Sequence, residues 1–110
     1  MDLTAYTDNS DVLNDAEKKI NEIDKELRRG SQESEIYAVN NNEETKLTDE
    51  TAYIVETALN IGKKTSGAFD ITIAPVMDLW GFYNQKFYVP TEDEIKNALK
   101  TVDYSKVSIK

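Results

Sequence analysis

The sequence predicts an α+β fold with three main helices and short strand pieces. Three observations carry this expectation. Two long segments repeat apolar residues three and four apart, a capping-box pattern precedes a third, and brief β-prone runs lie near both ends and after Gly67.

The first helix is predicted from about Ser10 to Arg29, with Leu13, Ala16, Ile20, Ile23 and Leu27 on one face. Ser10 is the expected N-cap, Asp11 lies in the first turn, and Gly30 is the expected left-handed stop. The stripe is too short for three heptads, so it reads as the core face of a domain helix rather than a coiled-coil seam. Before it, Leu3, Ala5 and Tyr6 predict a short opening strand. After Gly30 come a loop, a short helix begun by Ser34, and a polar loop through Asn41-Asn42-Glu43-Glu44, with Lys46-Leu47 briefly extended.

The second long helix is predicted over Asp49–Lys64, capped by Thr48, with Ala52, Val55, Ala58, Leu59 and Gly62 as its packing face. Its acidic start (Asp49, Glu50) and basic end (Lys63, Lys64) both suit the helix dipole. Phe69–Ile73 predicts a short extended segment, and Pro75 then suits the first turn of a helix that Gly81 can end. Thr91 with Glu94 forms the capping box, and Ile95, Ala98, Leu99 and Val102 supply the buried stripe of the third main helix. Val107 and Ile109 predict the start of a further strand, whose unpaired edge would favour self-association.

Composition narrows the function classes. A chain of 110 residues, 39% hydrophobic and 31% charged, has the size and balance of one folded domain. Its 21 acidic and 13 basic residues leave a net charge of −8, and the longest basic groups are the pairs Lys18-Lys19, Arg28-Arg29 and Lys63-Lys64, so nucleic acid is not an expected partner. No apolar run approaches the roughly 18 residues of a membrane span. The first residues show neither the basic start nor the apolar core of a signal peptide. With no His and no Cys, these residues offer no imidazole or thiolate metal site and no Ser-His or Cys-His pair. No catalytic residue is assigned.

The candidate site is the segment Gly67-Ala68-Phe69-Asp70. Gly67 lets the backbone turn after a helix, Phe69 offers a flat apolar face, and Asp70 adds two acceptor oxygens. Together they suit a planar heteroaromatic ring. From the residues alone the favoured reading is a helix stop, a core Phe and an Asp capping a turn. The aromatics Trp80, Phe82, Tyr83, Phe87 and Tyr88 admit a pocket or docking role as well, and packing is the favoured reading. The carboxylate pairs Glu33/Glu35 and Glu92-Asp93-Glu94 read as solvated helix starts rather than acid–base pairs.

Several motifs in one order resemble the ApbE family of FAD:protein FMN transferases, once called thiamine-biosynthesis lipoproteins. They are Ser34-Glu35-Ile36 with Asn40, Thr65-Ser66-Gly67-Ala68-Phe69-Asp70-Ile71-Thr72, Pro75, Leu79-Trp80-Gly81-Phe82 and Pro90, across almost all 110 residues. The resemblance implies a single α+β domain, of which residues 1–110 would be an N-terminal part. It implies FAD as substrate and magnesium as cofactor, with FMN transferred to a Thr or Ser of a target flavoprotein; some members act mainly as FAD pyrophosphatases. The parent would be exported or anchored on the outer side of a bacterial cytoplasmic membrane. Carried over by position, Gly67, Ala68, Phe69 and Asp70 would contact the flavin nucleotide, and Glu35 and Asn40 would shape a neighbouring wall. Two departures stand out. Gly30 occupies a position where members often carry an aromatic residue, and the Ala-Lys-Gly segment and late Asp/Thr metal group are missing. The isolated chain is therefore expected to be inactive, the alternatives being a non-catalytic flavin-binding module or a helical protein-interaction domain.

Overall fold

The computed structural model describes residues 2–110, and the chain divides into two units, Met1–Ala52 and Tyr53–Lys110. Five α-helices follow one another: α1 (Asp11–Leu27), α2 (Glu35–Asn40), α3 (Asp49–Lys64), α4 (Ala74–Leu79) and α5 (Glu92–Leu99), with a 3-10 turn at Tyr104–Lys106. Helix α3 begins in the first unit and ends in the second.

Among the described residues there is no strand, so the α+β expectation is corrected to an all-helical one. A strand exists only through its ladder, and an extended run without a partner leaves its N–H and C=O groups to water. Leu3–Tyr6, Lys46-Leu47 and Val107–Ile109 meet no such partner, and Tyr6 is 99% exposed. At Phe69–Ile73 the cause is local. The Asp70 carboxylate accepts the Thr72 N–H at 2.8 Å, and this two-residue Asx turn replaces extended backbone. With the strands falls the unpaired edge that favoured self-association.

In the first unit α1 packs on α2. Ser10 does not cap α1: its backbone is already helical, and the Asp11 N–H is taken by Asn9 Oδ1 at 2.9 Å. Nor does Gly30 stop the helix in the left-handed region; α1 ends at Leu27, and Arg28 turns to extended backbone. The turn is held by Ser34, only 2% exposed, whose hydroxyl donates to the Arg28 carbonyl at 2.8 Å and accepts the Tyr37 N–H at 3.0 Å. One side chain thus ends α1 and begins α2, as the predicted Ser34 start requires.

The start of α3 is a polar cluster. Thr48 Oγ1 accepts the Thr51 N–H at 3.2 Å, the predicted cap, and donates to Glu26 Oε2 at 3.0 Å. Both carboxylate oxygens of Glu35 lie 3.0 Å from the Thr48 N–H. Thr51, fully buried, has its hydroxyl 3.1 Å from that of Thr48. The exposed pair Lys19–Glu50, at 2.6 Å, adds little at the surface.

In the second unit α4 packs on α5. Val55 and Leu59, both on the predicted face of α3, are the buried hydrophobic residues among those described. The α1 and α5 stripes are only partly covered: Leu13 and Leu99 are exposed, and α5 stops at Leu99, short of Val102. Helix α4 ends as predicted. Gly81, at φ +76°, follows it; the Gly81 N–H bonds to Asp78 O at 3.0 Å and the Phe82 N–H to Met77 O at 3.1 Å. The loop beyond returns with the Tyr88 N–H on Trp80 O at 3.3 Å. Phe82 and Phe87 meet edge to face, with centroids 5.8 Å apart. The predicted capping box is complete. Glu94 Oε2 accepts the Thr91 N–H at 2.8 Å, Thr91 Oγ1 accepts the Glu94 N–H at 3.4 Å, and Tyr88 adds its hydroxyl to Glu94.

Candidate functional site

The end of α3 places the Gly67–Asp70 segment. Two reverse bonds close the helix, Ser66 N–H to Lys63 O at 3.2 Å and Gly67 N–H to Gly62 O at 2.9 Å. The backbone reaches the left-handed region at Ser66 (φ 53°) and stays at positive φ through Gly67 (φ 83°). Thr65 completes the turn: its hydroxyl donates to Ile61 O at 2.9 Å and accepts the Phe69 N–H at 3.1 Å. Ala68 gives its N–H to Thr65 O at 3.1 Å. The N–H groups of Ala68 and Phe69 are therefore spent within the turn, while the Phe69 side chain remains 44% exposed.

Asp70 is spent as well. Its Oδ1 accepts the Thr72 N–H at 2.8 Å and the Thr72 hydroxyl at 2.6 Å, and its Oδ2 accepts the Tyr104 N–H at 3.0 Å. Burial by itself would raise the Asp70 pKa; the hydrogen bonds from Thr72 and Tyr104 outweigh it and hold the carboxyl below its ordinary value. Asp103 is similarly engaged, accepting the Ser105 hydroxyl at 2.6 Å and its N–H at 3.0 Å, and these bonds lower its pKa.

These residues surround a cavity of about 540 Å³, lined by Gly67, Ala68, Phe69 and Asp70 together with Ile73, Leu99, Val102, Asp103 and Tyr104. Four of the six residues predicted for cofactor contact thus share one pocket. The other two belong to the first unit. Glu35 lies in α2 of the first unit with its carboxylate on the Thr48 N–H, and Asn40 is the exposed last residue of the same helix. Ile73, Leu99, Val102 and Tyr104 were not legible as site residues, because only the fold sets residues 99–104 beside residues 67–73.

The lining tells what the pocket can do. Two aromatic rings and four aliphatic side chains offer apolar contact, and the polar groups of Asp70 and Asp103 already have donors. Such a surface suits the flat face of a heteroaromatic ring. It does not suit magnesium, which needs several free oxygen ligands. Among the described residues no group of three or more acidic, His or Cys side chains converges, and no helix is long and apolar enough to cross a membrane.

The ApbE family model matches residues 1–110. The chain belongs to the ApbE family. Among relatives, the FAD:protein FMN transferase of Salmonella typhimurium is 44% identical over 54 residues, 47% of this chain and 15% of that protein. That of Haemophilus influenzae is 28% identical over 102 residues, 89% of this chain and 28% of that one. The crystal structure of the ApbE protein of Thermotoga maritima is similar with a TM-score of 0.81 at 26% identity, covering 97% of this chain and 36% of that chain. This family member thus spans about a third of the solved relative, and less of the two transferases.

Proposed function

We propose that the second unit of this chain supplies one wall of a flavin-nucleotide pocket in an ApbE-type FMN-transferring domain. The observation that carries the reading is the cavity beside Gly67–Asp70, the segment on which the family resemblance rests most heavily. The family's named activity supplies the ligand class, FAD, and Phe69 and Tyr104 supply faces for its planar ring. The pocket has no free oxygen set for the metal. In this reading magnesium, which neutralises phosphate charge in phosphoryl transfer, is held by the part of the relatives that this chain does not cover. A target flavoprotein would be met by the complete domain, on the outer side of the membrane.

Catalysis requires both walls at once, because phosphoryl transfer rests on positioning the phosphates and the acceptor hydroxyl together and on stabilising the charge of the leaving group. The chain alone is therefore expected to bind FAD weakly and to transfer no FMN. Titration of the protein with FAD, followed by flavin fluorescence, tests the first statement. Incubation with FAD, magnesium and a flavoprotein acceptor, followed by in-gel flavin fluorescence, tests the second. Turnover by this chain would overturn the reading of its role, and absence of FAD binding would overturn the ligand assignment.

A further inference from the structure

Thr72 lies outside the pocket lining, yet its hydroxyl joins the two segments that build it. The Thr72 O–H donates to Asp70 Oδ1 at 2.6 Å, and its oxygen accepts the Asp103 N–H at 2.8 Å. The same carboxylate, through Oδ2, takes the Tyr104 N–H at 3.0 Å. Two consecutive N–H groups, 31 and 34 residues along the chain from their acceptors, are thus held by one Asp–Thr pair.

What the pair holds in place is Tyr104. Gly62 and Gly67 leave room for its ring: a Cβ on Gly62 would come within 3.2 Å of Tyr104 Cγ, and one on Gly67 within 3.5 Å of Cε1. The ring therefore lies against the end of α3 and lines the same cavity as Phe69. Asp103 caps the 3-10 turn locally through the Ser105 N–H. The bonds of the Asp–Thr pair are those that tie this loop to residues 70–72, and without them ordering it there would fall to the ligand.

We propose that Thr72 is a positioning residue for flavin-nucleotide binding. It orients Asp70 and holds the Asp103–Tyr104 backbone, so that the Tyr104 ring forms a wall for a planar heteroaromatic group, and it touches no ligand itself. The inference rests on the flavin reading given above. A hydroxyl is required because one atom must both donate and accept. Valine has nearly the same shape and does neither, whereas serine does both.

The test is FAD titration of the wild type, Thr72→Ser and Thr72→Val, together with amide hydrogen exchange in the unliganded proteins. Thr72→Ser should bind FAD as the wild type does. Thr72→Val should bind about tenfold more weakly, the equivalent of one to two hydrogen bonds, with faster exchange at the Asp103 and Tyr104 amides. Should Thr72→Val melt below the assay temperature, Asp70→Asn reads the same loosening by exchange at the Thr72 and Tyr104 amides, because an amide offers one acceptor oxygen where the carboxylate uses two. Wild-type affinity in the valine variant, or equal loss in the serine and valine variants, overturns the inference and leaves the flavin reading standing. A wild type that does not take FAD overturns the flavin reading itself.

Discussion

Replacing Gly81 by Ala should be the most damaging single-methyl change in the second unit. Two costs combine. At φ +76° an L residue is in the left-handed region, which costs roughly 1–2 kcal/mol. The new Cβ would also stand 2.0 Å from Lys86 O and 2.5 Å from Lys86 C, distances that no side-chain adjustment can relieve because both atoms are backbone. The loop must open, at a cost typical of overpacking, about 1–3 kcal/mol. The total is about 2–5 kcal/mol. Gly67→Ala is the matched control: it carries the same kind of backbone cost at φ +83°, but its Cβ would meet only Tyr104 Cε1 at 3.5 Å, an ordinary contact. Its expected loss is about 1–2 kcal/mol. Urea unfolding of both variants, followed by circular dichroism and Trp80 fluorescence, measures the difference. Gly81→Ala should also unfasten the return of Tyr88 onto Trp80. If Gly81→Ala proves no more destabilising than Gly67→Ala, the close approach of Lys86 to Gly81 is not present in solution and the reasoning fails.

Other consequences can be checked in the same way. The folded-state pKa of Asp70 is depressed, so its contribution is fully present above the ordinary carboxylate pKa of about 3.9 and fades as pH falls below it. The stability gap between wild type and Asp70→Asn should therefore be roughly constant from pH 5 to 7 and close in stronger acid; a gap that widens on acidification would contradict the assignment. In the first unit, Thr48→Ala removes the cap of α3 and leaves the Thr51 N–H without its acceptor, which should cost about 1–2 kcal/mol in urea unfolding. Thr48→Ser keeps the hydroxyl and should stay near the wild type.

Helix positions and most caps are local matters, and the amino-acid sequence determined them. Apolar residues three and four apart can share a face only on a helix, which placed α1 and α3 and marked Val55 and Leu59 as core. Ser34, Thr48 and the Thr91–Glu94 box act on N–H groups three residues away, and Gly81 acts on the turn it occupies. The motif around Gly67–Asp70 was equally legible, and so was the family.

Tertiary structure decided what depends on partners far along the chain. Whether an extended run becomes a strand is settled by a second run beside it, and none is present among the described residues, so the α+β expectation gave way to an all-helical fold. The use of each carboxylate is settled in the same way. Glu35 receives the Thr48 N–H 13 residues on. Asp70 was open to two readings, ligand contact or turn cap, because an acceptor shows nothing of its donor until both are placed. Only the fold brings the Tyr104 N–H to its second oxygen, 34 residues away, and with it the Tyr104 ring into the pocket lining.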